Sequence, residues 1–557
     1  LLSSAEPFAT FSLANTLAGI LATGLVLLIG QASSTTGDRC GPSWLGTILL
    51  VIQISLMAYC LILTKSRSAW LGTCVGLGIL LIQRVRLSAF QNAFRWLAGG
   101  SLIALMVVGI SIVTGGVDKE VILESLRSLQ FRSLYWTGTA MLLRDQPLTG
   151  AGPGNFRQVY LRYKLDETSE EIRDPHNFVL DAWSSSGLIG LSGVLLIVGF
   201  TAWPLMKGRA KTISGKTGSQ KASAGQRGRP LLVVAGGILG GFLLHPGWTW
   251  LNGSDEWTSE PTRLLLLAGL FLLTARGIAS FRPVDSVACL AAASTMMVNL
   301  MAAGGFEMPT VMITLLTCLA AGIACKSPPA RACGPCRDLL TAGVLLATFL
   351  FVVGFGLLPV TVSEYHVRAG DLLIAGTQNP VRALDQFRQA IQADPQSVTP
   401  RQRMAEVLSY RLSEAVVLRQ AATGRIGMDE ADRRLADEAL DACESLLSAD
   451  RRNSFSYRLR AEVRWNAAVM NSSDQMRNLA IQDLQTAASL YPSSVAVWYQ
   501  LAERLAAAGF QHNDAATAAA ERVLQLDRTN HTWGHSDRYL TDEQRNIVSR
   551  IAGLLKE

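Results

Sequence analysis

The chain has 557 residues, 49% hydrophobic and 17% charged, with a formal net charge of +7. A soluble protein of this size carries charge on about a quarter of its residues, so a wholly soluble globular protein is excluded. Much of the positive excess lies in one stretch between apolar runs, which points to membrane orientation rather than to nucleic acid. The nine cysteines are scattered, several inside apolar runs, and form no disulfide framework.

A helix needs roughly 17–25 mostly apolar residues to cross the hydrocarbon. On that basis about ten spans are predicted, near 13–30, 44–64, 69–83, 97–113, 183–206, 231–247, 262–275, 285–303, 309–325 and 338–358. The chain starts with Leu1, and the sequence leads us to expect that N-terminal spans are missing. Residues 1–206, with a long loop at 114–182, read as one membrane core. Residues 207–358 read as further spans, and 360–557 as a soluble helical domain.

Lys/Arg asymmetry sets the orientation. The loop 207–230 holds Lys207, Arg209, Lys211, Lys216, Lys221, Arg227 and Arg229 and no acid, and reads as cytoplasmic. Counting outward places the loop at 84–96 inside. The loop 114–182, the turn at Glu307 and everything after 358 fall on the other side.

The tail repeats a pattern of small and apolar residues running to Asp or Pro. It recurs at Ala383–Leu384, Ala439–Leu440, Ala480–Ile481 and Ala518–Ala520, with the last two spaced as in a tetratricopeptide unit. Trp498, Leu501 and Gly509 look like the first helix of such a unit. Stacked helix pairs present a surface for a protein partner, or act as a spacer or cap.

Three places carry candidate chemistry, and two more only resemble it. Arg67, in the short turn between two spans, has the planar fork that suits a phosphate; the alternative is a snorkelling helix anchor. The loop holds Arg132 and then a turn-rich run with Gly150, Gly152, Pro153 and Gly154. That run lacks the ending of a phosphate loop and reads as backbone shaping. His176, within Asp174-Pro175-His176-Asn177, stands where the polar loop meets a span. An imidazole there is suited to take and return a proton near neutral pH; the alternative is a water-exposed helix end. Asp174 either orients His176 or caps the following helix. Cys333-Gly334-Pro335-Cys336 copies a redox dithiol but has no strand or βαβ unit around it, and His245 reads as an interfacial helix end.

The runs TKSRSAW at 64–70, PLTGAGPGNF at 147–156 and DPHNFVLDAWSSSGLIGL at 174–191 resemble the bacterial O-antigen ligase and polymerase superfamily, and FATFSLANTLAG at 8–19 looks like its upstream Phe/Asn element. The resemblance covers roughly residues 5–205. It implies a GT-C-like, all-α polytopic membrane protein followed by an α-solenoid of tetratricopeptide-like repeats. It further implies glycan transfer from undecaprenyl pyrophosphate to a lipid, polysaccharide or protein acceptor. That transfer would occur on the periplasmic face of the bacterial inner membrane, without metal or nucleotide cofactor. By this resemblance His176 is the base, Arg67 and Arg132 hold the pyrophosphate, and Asn15 and Asn177 belong to the substrate site. Protein O-glycosylation, and a non-enzymatic scaffold or transporter in polysaccharide export, remain as rival readings.

Overall fold

The computed structural model describes residues 14–33, 44–84, 119–206, 286–326, 335–377, 379–423, 428–509 and 513–553. Among these every regular element is helical. The expected spans near 97–113, 231–247 and 262–275, the basic loop 207–230, His245 and Cys333 lie outside the described residues.

In chain order the first helices are α1 (Ala14–Ala32), α2 (Trp44–Leu63), α3 (Arg67–Arg84), α4 (Lys119–Asp145), α5 (Phe156–Tyr160) and α6 (Phe178–Met206). Next come α7 (Ser286–Leu300), α8 (Pro309–Lys326), α9 (Pro335–Phe351) and α10 (Leu358–Thr377). The tail holds α11 (Pro380–Ala393), α12 (Thr399–Thr423), α13 (Glu430–Ala449), α14 (Ser454–Asn471) and α15 (Asp474–Leu490). It ends with α16 (Val495–Ala507), α17 (Asn513–Trp533) and α18 (Asp542–Ile551). Contacts divide the chain into two units. The first is Leu1–Lys119, His176–Ala182 and Ile189–Ala330; the second is Glu120–Pro175, Trp183–Leu188 and Arg331–Glu557.

In the first unit α7 is the central element and packs on α1, α3 and α8. Its sequence explains why: Ala288, Ala291, Ala292 and Ala293 are all buried and keep its girth small. The facing α3 answers with Gly72 and Gly76, where an added Cβ would run into the backbone and hydroxyl of Thr295. Lipid tails are as apolar as leucine, so helices in a membrane gain little from burial alone. Small residues that let backbones approach supply the attraction instead.

Among the described residues, three helical segments are long and apolar enough to cross a membrane, Asn15–Ala32, Phe178–Trp203 and Leu346–Gly376. Shorter apolar helices lie at Leu50–Leu63, Arg67–Gln83, Ser286–Leu300 and Thr310–Cys325. Two boundaries differ from the sequence reading. The span expected from 183 starts at Phe178, because Asn177 supplies the cap described below. The span expected to end at 358 continues through a π-helical turn, Val352–Leu357, into α10.

In the second unit α10 packs against α11, α12 against α13, α14 against α15 and α16 against α17, with successive pairs in contact. The repeats read from the sequence lie on α11, α13, α15 and α17, the second helix of each pair. Side-chain caps start several of these helices: Asn379, Asp429, Asn453, Ser473 and Ser494 each accept from a backbone amide of the first turn. Apolar clusters run through the pairs, one around Leu408, Leu412 and Leu446 and another around Leu484, Leu501 and Val523. A buried carboxylate, Asp483, ties α15 to α14 by accepting from Arg460 and Arg464, each at 2.7 Å. Both arginines satisfy it, as a buried charge requires.

Candidate active site

The corner between α2 and α3 is built by local polar contacts. The Thr64 hydroxyl donates back to the Leu61 carbonyl at 2.7 Å, and Trp70 Nε1 donates to the same oxygen at 3.2 Å. Lys65 takes the left-handed backbone region, φ 52°, which reverses the chain within a few residues. Arg67 is therefore the first residue of α3, exposed, at a helix N-terminus whose dipole and amides add to its positive charge.

The residue after it is fixed. Ser68 Oγ donates to Asn299 Oδ1 at 2.8 Å. Asn299 is 1% exposed, and its amide nitrogen reaches the Asn15 carbonyl at 3.5 Å. One carboxamide in the last turn of α7 thus binds the start of α3 and the start of α1. Gly19 is small enough for this approach, since a Cβ there would collide with the Asn299 amide.

The start of α6 meets the same end of α7. Asn177 Nδ2 donates to the Met301 carbonyl at 2.9 Å. Its Oδ1 accepts from the amides of Val179 and Leu180 at 3.0 and 3.2 Å. Asn177, rather than Asp174, caps this helix. Phe178 follows into the cluster of Met296, Leu300, Val311 and Leu315. His176, half-buried, has a left-handed backbone with φ 50°. Histidine visits that region more readily than branched residues do. Asn15, Arg67, His176 and Asn177 therefore all stand at or beside the groups that converge on residues 299–301.

Asn299 was missed in the sequence. Its signal was there: a carboxamide inside an apolar span is costly in hydrocarbon unless it has partners.

Arg132 belongs to the second unit. It lies on α4 beside Tyr135, whose buried hydroxyl is pushed up to about 12 by burial, with the charge and hydrogen bond of Arg132 opposing. Farther along the same stretch, Trp136 Nε1 donates to the Pro175 carbonyl at 2.9 Å, which fixes the chain one residue before His176.

The glycine-rich run does shape backbone. Gly187 breaks α6 with φ 65° and ψ −173°, a region essentially reserved for glycine. The helical bond that would join the Leu188 amide to the Ser184 carbonyl is replaced by two others. Leu188 N donates to the Pro147 carbonyl at 3.0 Å, and Ser184 O accepts from the Ala151 amide at 2.6 Å. Trp183 Nε1 adds a third bond to the Pro147 carbonyl at 3.0 Å. The two motifs at 147–156 and 174–191 are thus one structural element, in which a loop repairs the broken ladder of a helix. Among the described residues no group of three or more His, Cys, Asp or Glu side chains is placed to hold a metal ion.

Residues 52–195 match the family model described as O-antigen ligase, a stretch that contains the α2–α3 corner, the glycine run and His176. An O-antigen ligase of Salmonella typhimurium (strain LT2) is 27% identical over 164 residues, covering 27% of this chain and 39% of that protein. The chain thus spans well under half the length of that relative. Among solved structures, a crystal structure of MamA protein is similar at 14% identity and a TM-score of 0.23, covering 35% of this chain and 84% of that one. A second MamA structure is similar at 14% identity and a TM-score of 0.21, covering 33% of this chain and 91% of that one.

Proposed function

We propose that this chain, whose residues 52–195 carry the O-antigen ligase family domain, is a membrane glycosyltransferase of the bacterial inner membrane. It moves a glycan from undecaprenyl pyrophosphate to an acceptor hydroxyl, on a lipid or a growing polysaccharide, at the periplasmic face. The observation that carries this reading is the convergence on residues 299–301. Ser68, next to Arg67, and Asn177, next to His176, are both pinned to that one helix end. The cation and the imidazole of the family pattern are thereby tied to one end of the first unit.

The chemistry follows from charge. His176, neutral, accepts the proton of the acceptor hydroxyl while that oxygen attacks the anomeric carbon. The bond from that carbon to the pyrophosphate oxygen breaks, and negative charge grows on the leaving group. Arg67, at the positive end of α3, stabilises that charge. Asn15 and Asn177 act by holding the helix starts that present these groups.

The membrane core, the further spans and the tail at 360–557 are then parts of one enzyme, with tail and long loop on the periplasmic side. Their packing within the same unit supports a common side. The test is purified full-length protein given a lipid-pyrophosphate-linked glycan and an acceptor. Product from the unaltered protein and none from His176→Asn is the expected result. No product from the unaltered protein, or normal product from the variant, rejects this assignment.

A further inference from the structure

The stretch between α4 and α6 is seated on the last helix pairs of the tail, and both belong to the second unit. Lys164, 6% exposed, donates from Nζ to Ser493 Oγ at 3.3 Å and lies over the Tyr491 ring. The Tyr491 hydroxyl donates to Glu171 Oε1 at 2.6 Å, and Arg538 stands 3.7 Å from the same oxygen. Asp166 pairs with Arg522 at 2.6 Å. Trp533 Nε1 donates to the backbone carbonyl of Glu167 at 2.6 Å.

These contacts differ from those of a recruiting arm. They are directional, all but the Trp533 bond are partly or wholly buried, and several involve charged groups, which makes them stronger than neutral bonds. A polar loop of this length, with only the five-residue α5 as regular structure, samples many conformations unless something holds it. Here five separate tail residues do so: Tyr491 and Ser493 in the turn between α15 and α16, Arg522 and Trp533 on α17, and Arg538 in the turn after it.

We propose that the C-terminal helix pairs are a positioning element for glycan transfer. They fix the stretch Glu120–Pro175, whose last residue directly precedes His176, in a single conformation. The inference rests on the transferase reading above. The tail then acts within the same chain, as part of the catalytic apparatus, rather than as a landing site for another protein. Displacing a reacting group by about an ångström lowers rates by up to roughly 100-fold, so a loosened loop is expected to depress turnover more than donor binding.

The experiment uses full-length protein in lipid nanodiscs and the charge reversals Asp166→Arg, Arg522→Asp and the two combined. Hydrogen exchange of residues 157–175 is read alongside kcat and KM for a lipid-pyrophosphate-linked glycan. Each single reversal is expected to speed exchange and lower kcat about tenfold, with KM unchanged. The combined variant is expected to restore both. If a single reversal fails to reach the membrane, Trp533→Phe, which removes one hydrogen bond, is expected to show the same effects in smaller measure. Unchanged exchange in these variants would overturn the contact. Faster exchange with unchanged kcat would overturn the positioning role while leaving the transferase reading intact. That reading fails separately, if the unaltered protein makes no product.

Discussion

Ser68 and Asn299, far apart in sequence, share a 2.8 Å hydrogen bond that fastens the first turn of α3 to the last turn of α7. The same carboxamide serves the Asn15 carbonyl, so its loss orphans groups on two helices. Asn299→Ala is expected to destabilise the first unit by about 1–3 kcal/mol and to lower glycan transfer. Ser68→Ala, which removes the donor to Asn299 and a 3.3 Å contact with Ser66 Oγ, is expected to lose about 1 kcal/mol. Melting of the two variants and their double mutant measures the coupling. Additive losses would show that the bond links nothing.

His176 carries an imidazole on a left-handed backbone, and the two properties separate by substitution. His176→Asn keeps a residue that tolerates positive φ while removing the proposed base. Transfer is expected to fall by at least about 100-fold, the usual range for a lost general base, with melting unchanged. His176→Ala is expected to lose the same activity and to melt lower, because alanine is strained there. A His176→Asn protein with most of its turnover would show that the backbone, not the imidazole, is what the position supplies.

The sequence made the helices visible because apolar length and Lys/Arg asymmetry are one-dimensional signals. The runs at 13–30, 44–64 and 309–325 coincide with α1, α2 and α8 within a few residues. Arg67 and His176 stood out for the same reason, as charged or titratable groups at the edges of apolar runs. Asn299 did not, because its partners Ser68 and Asn15 come from distant helices and only packing brings them to it. The seating of Lys164 and Glu171 on the tail was hidden likewise. A charged run reads as a solvated face until the tyrosine and arginine that cover it, Tyr491 and Arg538, are brought alongside by tertiary structure. The glycine run was read as backbone shaping, yet its partner, the broken turn at Gly187, needed coordinates to be seen.

Arg67 leads α3 at an exposed position, so its removal disturbs no packing. Arg67→Lys keeps the charge but loses the planar fork that meets two phosphate oxygens together. A several-fold rise in donor KM is expected, with melting unchanged. Arg67→Gln is expected to lower kcat as well, since charge on the leaving group is then left uncompensated. Unaltered kinetics in both variants would assign Arg67 to anchoring the helix end.

Gly187 tests the join between the loop and the broken helix. A Cβ there would collide with the Leu148 carbonyl and the Thr149 amide, and the backbone region itself excludes side chains. Gly187→Ala is expected to destabilise the second unit by more than about 3 kcal/mol and to release the bonds of Leu188 and Trp183 to the Pro147 carbonyl. Faster proteolysis of residues 147–156 reports it. A protein of normal stability would mean that the break in α6 is dispensable.

Lys164 gives the seating of the loop a pH dependence. Burial, with Arg538 adding, pushes its ammonium down from the ordinary 10.5 to about 8, although Glu171 and Asp166 oppose this. Tyr491 is pushed up, first by burial, and stays neutral over that range. Below about pH 8 the lysine is protonated both packed and released, so stability is flat there. Between about 8 and 10.5 the released chain binds more protons than the packed one, and stability rises with pH. Glu171 acts at the other end. Burial raises its carboxyl, but the Tyr491 hydroxyl and then Arg538 and Arg157 outweigh this and hold it below the ordinary 4.5. Its contribution is present above that value and disappears as pH falls through the lowered one. Lys164→Met, which keeps the length of the side chain without the charge, is expected to melt as high as the unaltered protein at pH 7 and to lose the rise above pH 8. A rise that survives in the variant would place its origin in another group.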